Sequence, residues 1–151
     1  MKMSFYKVII FIAMSIFGAT AYSLNLPTEA SANADSYCKE EWTKRGVLDE
    51  RMYRYCREQE SEGYRDLVSL ANKYKSQKWI QDAVDYSINE WTKRGVRQDR
   101  MVNHSLKQIT EGYEDLMYMS KQPGWNNARY QKCLGEWGIQ FNMVVYCYKQ
   151  N

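Results

Sequence analysis

The stretch from Glu41 to Val47 reads E-W-T-K-R-G-V, and the same seven residues recur from Glu90 to Val96. At this offset of 49 residues, 15 of the 27 positions of 41–67 are identical to those of 90–116. Self-similarity at a fixed period is typical of arrays in which each repeat is one supersecondary unit. The repeat therefore predicts an array, and it sets the framework for interpreting every other motif.

A third, truncated copy follows, in which Glu136 and Trp137 repeat the Glu-Trp pair. Apolar residues from Ile80 to Trp91 recur at helical spacing, and a heptad-like seam runs from Met52 to Tyr74. No comparable alternation of period two is present. We predict an all-α fold of tandem antiparallel helical hairpins, with two full units and a shorter C-terminal unit. The predicted boundaries are an N-terminal linker at 22–34, repeats at 35–78 and 79–124, and a capping repeat at 125–151.

The basic pair inside the repeated heptapeptide predicts where the first helix of each unit ends. Lys44 and Arg45 would lie in the last helical turn, where cations complement the helix dipole, and Gly46 would follow as the left-handed stop. The second helix would then begin near Asp49, or near Asp99 in the second unit, with the aspartate as its cap.

Two glycines, Gly63 and Gly112, lie within the seam of the second helices. Glycine inside a helix costs about 1 kcal/mol relative to alanine, so each requires an explanation. We favour a close approach of two helices at these positions. A hinge or kink that opens a groove is the alternative.

Residues 1–21 have the features of a secretory signal peptide. Lys2 and Lys7 supply the positive region, an apolar stretch follows, and the small residues Ala19 and Ala21 predict cleavage before Tyr22. The apolar run is shorter than the roughly 20 residues that span a bilayer. We therefore expect a periplasmic or secreted protein, favour the bacterial periplasm, and expect no membrane span after cleavage.

Without this segment the chain has 19 basic and 18 acidic residues, a net charge of +1. That charge argues against a dedicated nucleic-acid binder, and a single histidine excludes a multi-histidine metal site. Leu, Ile, Val and Phe make up only 20 of the 130 remaining residues, whereas Tyr and Trp contribute 17. The predicted core is therefore aromatic, with polar ring atoms that need partners.

The repeat selects one pairing of the four cysteines. Cys38 and Cys56 align with Ser87 and Ser105 in the second unit, so both sulfurs are replaced together. Residues equally distant from the turn of an antiparallel hairpin lie at the same height. We therefore predict the disulfides Cys38–Cys56 and Cys133–Cys147, which an exported compartment permits.

The tryptophans are interpreted as structural residues of the repeat. Trp42, Trp91 and Trp137 occupy equivalent positions, and two of them follow a cysteine by four residues. We expect these indoles to pack beside the disulfide, with ligand stacking as the alternative. Trp79 and Trp125 begin the later units and are expected to lie as wedges between hairpins.

The sequence contains few candidate catalytic groups. His104 aligns with Tyr55, which favours a packed or half-exposed ring. The repeated Glu41, Glu90 and Glu136 would be spread along the array, whereas glycoside cleavage needs two carboxylates in one cleft. Each is expected to accept a hydrogen bond or charge from a neighbouring unit. We expect no enzyme activity, no cofactor and no metal.

The strongest functional candidate is a basic patch formed by Lys44, Arg45, Lys93 and Arg94 at one end of the array. It could bind an acidic face of a partner protein or the phosphates of an anionic envelope glycolipid. We predict a non-catalytic protein-binding module, in one form an inhibitor or immunity protein for an exported enzyme. The alternatives are a cell-wall-polymer enzyme that uses the repeated Glu and Trp residues, or a structural envelope component.

Overall fold

The computed structural model describes residues 23–150, and most of them are helical. The all-α prediction of successive helical hairpins is confirmed, and the predicted signal peptide lies outside the described residues. The elements are α1 (Ser31–Trp42), β1 (Thr43–Lys44), β2 (Val47–Leu48), α2 (Glu50–Lys73), α3 (Ile80–Glu90), β3 (Thr92–Lys93), β4 (Val96–Arg97), α4 (Asp99–Met119), α5 (Asn127–Trp137) and α6 (Phe141–Gln150).

Each unit pairs its first helix with the helix that follows it, so that α1 packs on α2, α3 on α4, and α5 on α6. The second helices also pack on one another in the order α2, α4, α6. They form the spine of the array. The buried apolar side chains of this spine include two sets of equivalent residues, Leu67 with Leu116 and Val102 with Val144. Equivalent positions therefore recur from unit to unit along one path.

Gly63 and Gly112 lie where successive second helices come closest. A Cβ atom at Gly63 would lie 2.5 Å from the Cα of Arg100, at the start of α4. A Cβ atom at Gly112 would lie 2.2 Å from the backbone nitrogen of Asn142, at the start of α6. Only glycine lets the backbones approach this closely, so the two residues set the same helix contact twice.

Both predicted disulfides are present. Cys38–Cys56 links α1 to α2, and Cys133–Cys147 links α5 to α6, each with a Cα–Cα distance of 5.7 Å. In the second unit Ser87 and Ser105 occupy the corresponding places and are buried. The first and third helical hairpins are thus each cross-linked by a disulfide, and the second is held together by packing alone.

The prediction of a helix stop at T-K-R-G-V is wrong in detail. The first helix ends earlier, and Thr43-Lys44 pairs with Val47-Leu48 as a two-residue-loop β-hairpin. Arg45 and Gly46 both have positive φ, 54° and 79°, as a type I′ turn requires. The second unit repeats this hairpin, with Arg94 and Gly95 at φ 53° and 78°.

The aspartate caps follow the prediction in one unit only. Asp49 precedes α2, and its side chain accepts a hydrogen bond from the backbone N–H of Met52 at 3.1 Å. Asp99 is instead the first residue of α4, where Gln98 is the cap residue without a side-chain bond. Asp99 is fully buried and forms an ion pair with Arg97. Asp99 therefore pairs with Arg97, whose counterpart in the first unit is Leu48, and does not cap the helix.

Aromatic rings join the units, as the composition indicates. The Trp79 ring lies 4.8 Å from Tyr113 and 5.1 Å from Phe141, which belong to the second and third units. It also lies 5.6 Å from Tyr74 at the end of the first unit. Trp125 stacks on Tyr148 at 4.6 Å within the third unit. Trp79 thus contacts rings of all three units, and Tyr113 does the same.

The segment before α1, predicted as a linker, lies against the array. Tyr64 donates a hydrogen bond to the Pro27 carbonyl at 2.7 Å, and Arg97 donates to the Glu29 carbonyl at 2.9 Å. Leu24 and Leu26 pack on the core. Residues 23–30 therefore form a strap across the first two units, and the last residues of the predicted linker belong to α1.

Candidate functional site

The first two units each contain a small recess at the junction with the next unit, about 100 Å³ in volume. Both recesses are lined by a tyrosine and a glutamate from the first helix and by a glutamine from the second helix. The lining residues that correspond are Tyr37, Glu41 and Gln59 in one recess and Tyr86, Glu90 and Gln108 in the other. The sequence repeat therefore produces the same polar recess twice.

The first recess also contains the buried carboxylate of Glu60. Its Oε2 accepts a hydrogen bond from the backbone N–H of Arg100 at 3.2 Å, so a side chain of α2 caps the start of α4. Burial raises the pKa of Glu60, while the hydrogen bond from the Arg100 backbone opposes this shift. Glu60 joins two units, and its counterpart in the second unit is Ile109.

The second recess extends into the third unit, through Gln140, Asn142 and Met143. Within it, Ser105 donates a hydrogen bond to Glu90 Oε2 at 2.8 Å. The serine that replaces a cysteine therefore binds the repeated glutamate. We expected each glutamate to bind a neighbouring unit, and for Glu90 this is wrong, because its partner belongs to the same hairpin.

The repeated glutamates share a local setting near the cysteine position of the second helix. Glu41 lines the first recess together with Cys56, and Glu136 Oε2 lies 3.8 Å from Cys147 Sγ. Burial and the neighbouring glutamate raise the pKa of Tyr37, and the same causes act on Tyr86. The neutral phenols can donate hydrogen bonds, and the carboxylates can accept them.

The second helix of each unit carries an exposed ring one residue before the cysteine position. Tyr55 and Tyr146 are 54% and 59% exposed, and His104 holds the equivalent position in α4. A glutamine follows each ring by four residues, and Gln108 Nε2 lies 3.2 Å from His104 Nε2. We call this set the Glu–ring–Gln row, made up of Glu41, Tyr55, Gln59, Glu90, His104, Gln108, Glu136, Tyr146 and Gln150.

The geometry of the first recess argues against glycoside cleavage. Glu41 and Glu60 both line it, so two carboxylates do share one space. However, Glu60 is buried and bound to the backbone of α4. A recess of about 100 Å³ is also well below the roughly 300–1,000 Å³ of typical small-molecule sites. The remaining repeated carboxylates belong to separate units.

The four residues of the predicted basic patch have unequal surroundings. Lys44 lies over the Trp42 ring at 5.9 Å, and Lys93 lies over the Trp91 ring at 5.8 Å. Arg94 Nη1 lies 3.4 Å from Glu40 Oε1 of α1. Within the described residues, Arg45 makes no side-chain hydrogen bond and no ion pair. One of the two arginines thus forms an ion pair with another unit at the surface, where its side chain stays largely exposed.

A cavity of about 240 Å³ separates the second β-hairpin, β3 with β4, from α1. Strand β4 packs against this helix, and the side chains around the cavity combine acidic, basic and amide groups. They are Tyr37, Glu40, Glu41, Lys93, Arg94, Val96 and Gln98. The second hairpin is therefore docked on the last turns of the first helix of the array.

The buried pair of Arg97 and Asp99 was missed by the sequence analysis. Arg97 Nη2 lies 3.3 Å from Asp99 Oδ2, and burial raises the pKa of Asp99 while the arginine lowers it. The first unit has Leu48 and Glu50 at these positions, so the repeat gave no signal for the pair. Its bond to the N-terminal strap holds the second hairpin in place.

Comparisons with known proteins add no assignment: the chain matches no protein-family model, no curated protein and no solved structure. Within residues 23–150, no group of three or more His, Cys, Asp or Glu side chains is arranged to hold a metal ion. No helix in that range has both the length and the apolar character needed to cross a bilayer.

Proposed function

We propose that this chain is an exported, non-catalytic protein-binding module, periplasmic or secreted. A specific version of the proposal is an inhibitor or immunity protein for an exported enzyme. Two closed disulfides support export, because such bonds form and persist in oxidising compartments. The signal-like sequence of residues 1–21 agrees with this compartment.

The observation that carries the proposal is the Glu–ring–Gln row. It repeats a carboxylate, an exposed ring and an amide once in each unit along the array. The solvent-facing rings contribute little to the core, so their repetition is better explained by contact with a partner. Tyrosine is enriched at protein interfaces because it combines apolar area with a polar tip.

The row suits an elongated protein surface better than a small ligand. Stacked repeats present extended faces, and the recesses beneath this row are small. Glutamine can donate and accept at once, and the glutamates accept from N–H groups of a partner. Three equivalent groups of this kind could bind one partner at three points.

Site-specific photo-cross-linking tests this proposal. Benzoylphenylalanine replaces Tyr55, His104 or Tyr146 in turn, in the mature chain expressed in its own envelope. We expect all three positions to cross-link the same protein on irradiation. Tyr118, which is 67% exposed and lies outside the row, is the matched control and should cross-link weakly or not at all. Equal cross-linking from Tyr118, or none from the row, would contradict the proposal.

A further inference from the structure

The two β-hairpins have the same sequence at their tips but different surroundings. In the second unit, β4 packs on α1 and Arg94 reaches Glu40 at 3.4 Å. Val96 is half-buried there, whereas the equivalent Val47 of the first hairpin is 72% exposed. The chain therefore contains one docked copy of this hairpin and one open copy.

The docked copy shows what such a tip binds. Its acceptor is the last two turns of a helix, which present the Tyr37 ring and the carboxylates of Glu40 and Glu41. The hairpin contributes a lysine, an arginine and a valine. Arg94 pairs with the Glu40 carboxylate at 3.4 Å, and Val96 and Tyr37 line the same cavity. The tip and the helix end are therefore complementary in charge beside a partly apolar cavity.

The open copy has the same groups, and no helix end faces them within residues 23–150. Arg45 and Arg94 share the positive φ that asparagine or glycine adopts with less strain. In the second unit Arg94 pairs with Glu40 of α1, so the strained residue there makes a tertiary contact. Within the described residues, Arg45 has no comparable contact. Strained residues of this kind are found preferentially at functional sites.

A second copy of this chain does not fit as the acceptor in the same pose. Its α1 already holds its own second hairpin. The α3 helix of that second copy also precedes a β-hairpin and is the other candidate acceptor. Beside it, however, α6 already packs at Gly112 in the way that α4 packs at Gly63. The incoming α2, which follows the first hairpin directly, would have to occupy the place of α6. The acceptor therefore belongs to another protein.

We infer that the tip of the first hairpin, formed by Lys44, Arg45 and Val47, docks on the acidic C-terminal turns of a helix in the partner protein. This inference rests on the proposed function and names the kind of surface that the partner presents. The docking would resemble that of the second β-hairpin on α1, with a carboxylate paired to the arginine and with a second carboxylate and a ring nearby.

The probe that tests this inference is a helical peptide with the sequence of residues 31–42. It carries Cys38→Ala to prevent disulfide exchange, a hydrocarbon staple because so short a helix is marginal in water, and a fluorophore. Binding to the mature chain is followed by fluorescence anisotropy at several salt concentrations. We expect saturable, salt-sensitive binding, because charge at an exposed contact controls encounter and its screening.

Three variants locate the binding site. Arg45→Glu should weaken binding roughly tenfold, and Arg45→Asn, which keeps a residue favoured in this turn, should weaken it in the same direction. Lys121→Glu makes the same charge reversal at an exposed position outside the hairpin and should change binding less than about twofold. A peptide with both Glu40→Gln and Glu41→Gln should bind the wild-type chain about as weakly as the original peptide binds Arg45→Glu.

Two results would overturn the inference. One is absence of binding, or binding that Arg45→Glu leaves unchanged. The other is Arg45-dependent binding to vesicles of phosphatidylglycerol together with no binding of the peptide, which would assign the tip to a membrane surface. Cross-linking from the Glu–ring–Gln row is scored separately, so the proposed function can stand when the docking tip fails, and the reverse also holds.

Discussion

At the scale of single residues, Arg45 combines an unfavourable backbone with an exposed side chain. Its φ of 54° lies in the left-handed region, where most L-residues are strained. Arg45→Asn should raise the free energy of unfolding by about 0.5–1 kcal/mol, because asparagine adopts this conformation more readily. The urea midpoint measures the gain. Arg45→Lys, which keeps the strain, should give none, and a lower midpoint for Arg45→Asn would contradict the prediction.

Glu60 makes stability depend on pH. Burial raises its pKa in the folded protein, so the folded state holds this proton more tightly than the unfolded chain does. The resulting contribution is complete below the unfolded pKa, near about 4.3, and is lost as the pH rises through the folded pKa.

The variant Glu60→Gln isolates this effect, because its amide can still accept from the Arg100 backbone but does not titrate. As the pH is raised from about 4 to 7, the wild-type Tm should fall relative to that of the variant. Thermal unfolding at several pH values measures the difference. Two curves that stay parallel would show that Glu60 does not titrate differently in the folded state.

At the scale of the helices, the two glycine contacts fix how successive units pack. Gly63→Ala and Gly112→Ala place a Cβ atom against backbone atoms that cannot move independently. Each should cost about 2 kcal/mol or more, as overpacking does in a tight interface. Gly135→Ala is the matched control: it lies in α5 with nothing within 4 Å of its Cβ position, and should stabilise by up to about 1 kcal/mol.

Chemical denaturation of these three variants separates the effects. A loss at Gly135 comparable with the losses at Gly63 and Gly112 would show that the close approach of the helices does not decide the result. A loss confined to the two interface positions would support the role of the close approach.

The second helical hairpin, α3 with α4, can be cross-linked by a disulfide as the first and third are. Ser87 and Ser105 occupy the positions of the Cys38–Cys56 pair, with the same separation of 18 residues. The double variant Ser87→Cys and Ser105→Cys should form a third disulfide and gain about 3 kcal/mol in the chain-entropy model. Thiol titration under denaturing conditions and the urea midpoint measure the outcome. Two free thiols in the double variant, or a gain already present in a single variant, would contradict it.

At the scale of the whole molecule, Trp79 links the three units. Its ring contacts Tyr74, Tyr113 and Phe141, so removing it opens a gap between all of them. Trp79→Ala should cost about 3 kcal/mol or more and should broaden the unfolding transition, because an array with weakened interfaces loses cooperativity. Trp79→Phe retains an aromatic ring and should cost less. A sharp transition in Trp79→Ala would show that the spine alone couples the units.

Much of the architecture could be predicted from the sequence because it depends on local patterns. Helical periodicity, the repeat and the symmetric spacing of the cysteines each involve residues that lie near one another in the chain or in one hairpin. The ends of the first helices were predicted wrongly because a basic residue followed by glycine suits both a helix stop and a type I′ turn. The β-hairpin is closed by a backbone hydrogen bond between the residues that flank it. Asp49 N–H donates to the Trp42 carbonyl at 3.0 Å, and Gln98 N–H donates to the Trp91 carbonyl at 3.1 Å.

The sequence by itself determined the units, their disulfides and the identical conformation of both hairpin tips, since φ and ψ depend mainly on the residue and its immediate neighbours. Only the tertiary structure decided that one tip is docked and the other is open. Arg45 and Arg94 lie in identical heptapeptides, but within residues 23–150 a preceding helical hairpin packs beside the second β-hairpin only. Which groups remain available to a partner is therefore a property of position in the array, because burial depends on what packs alongside.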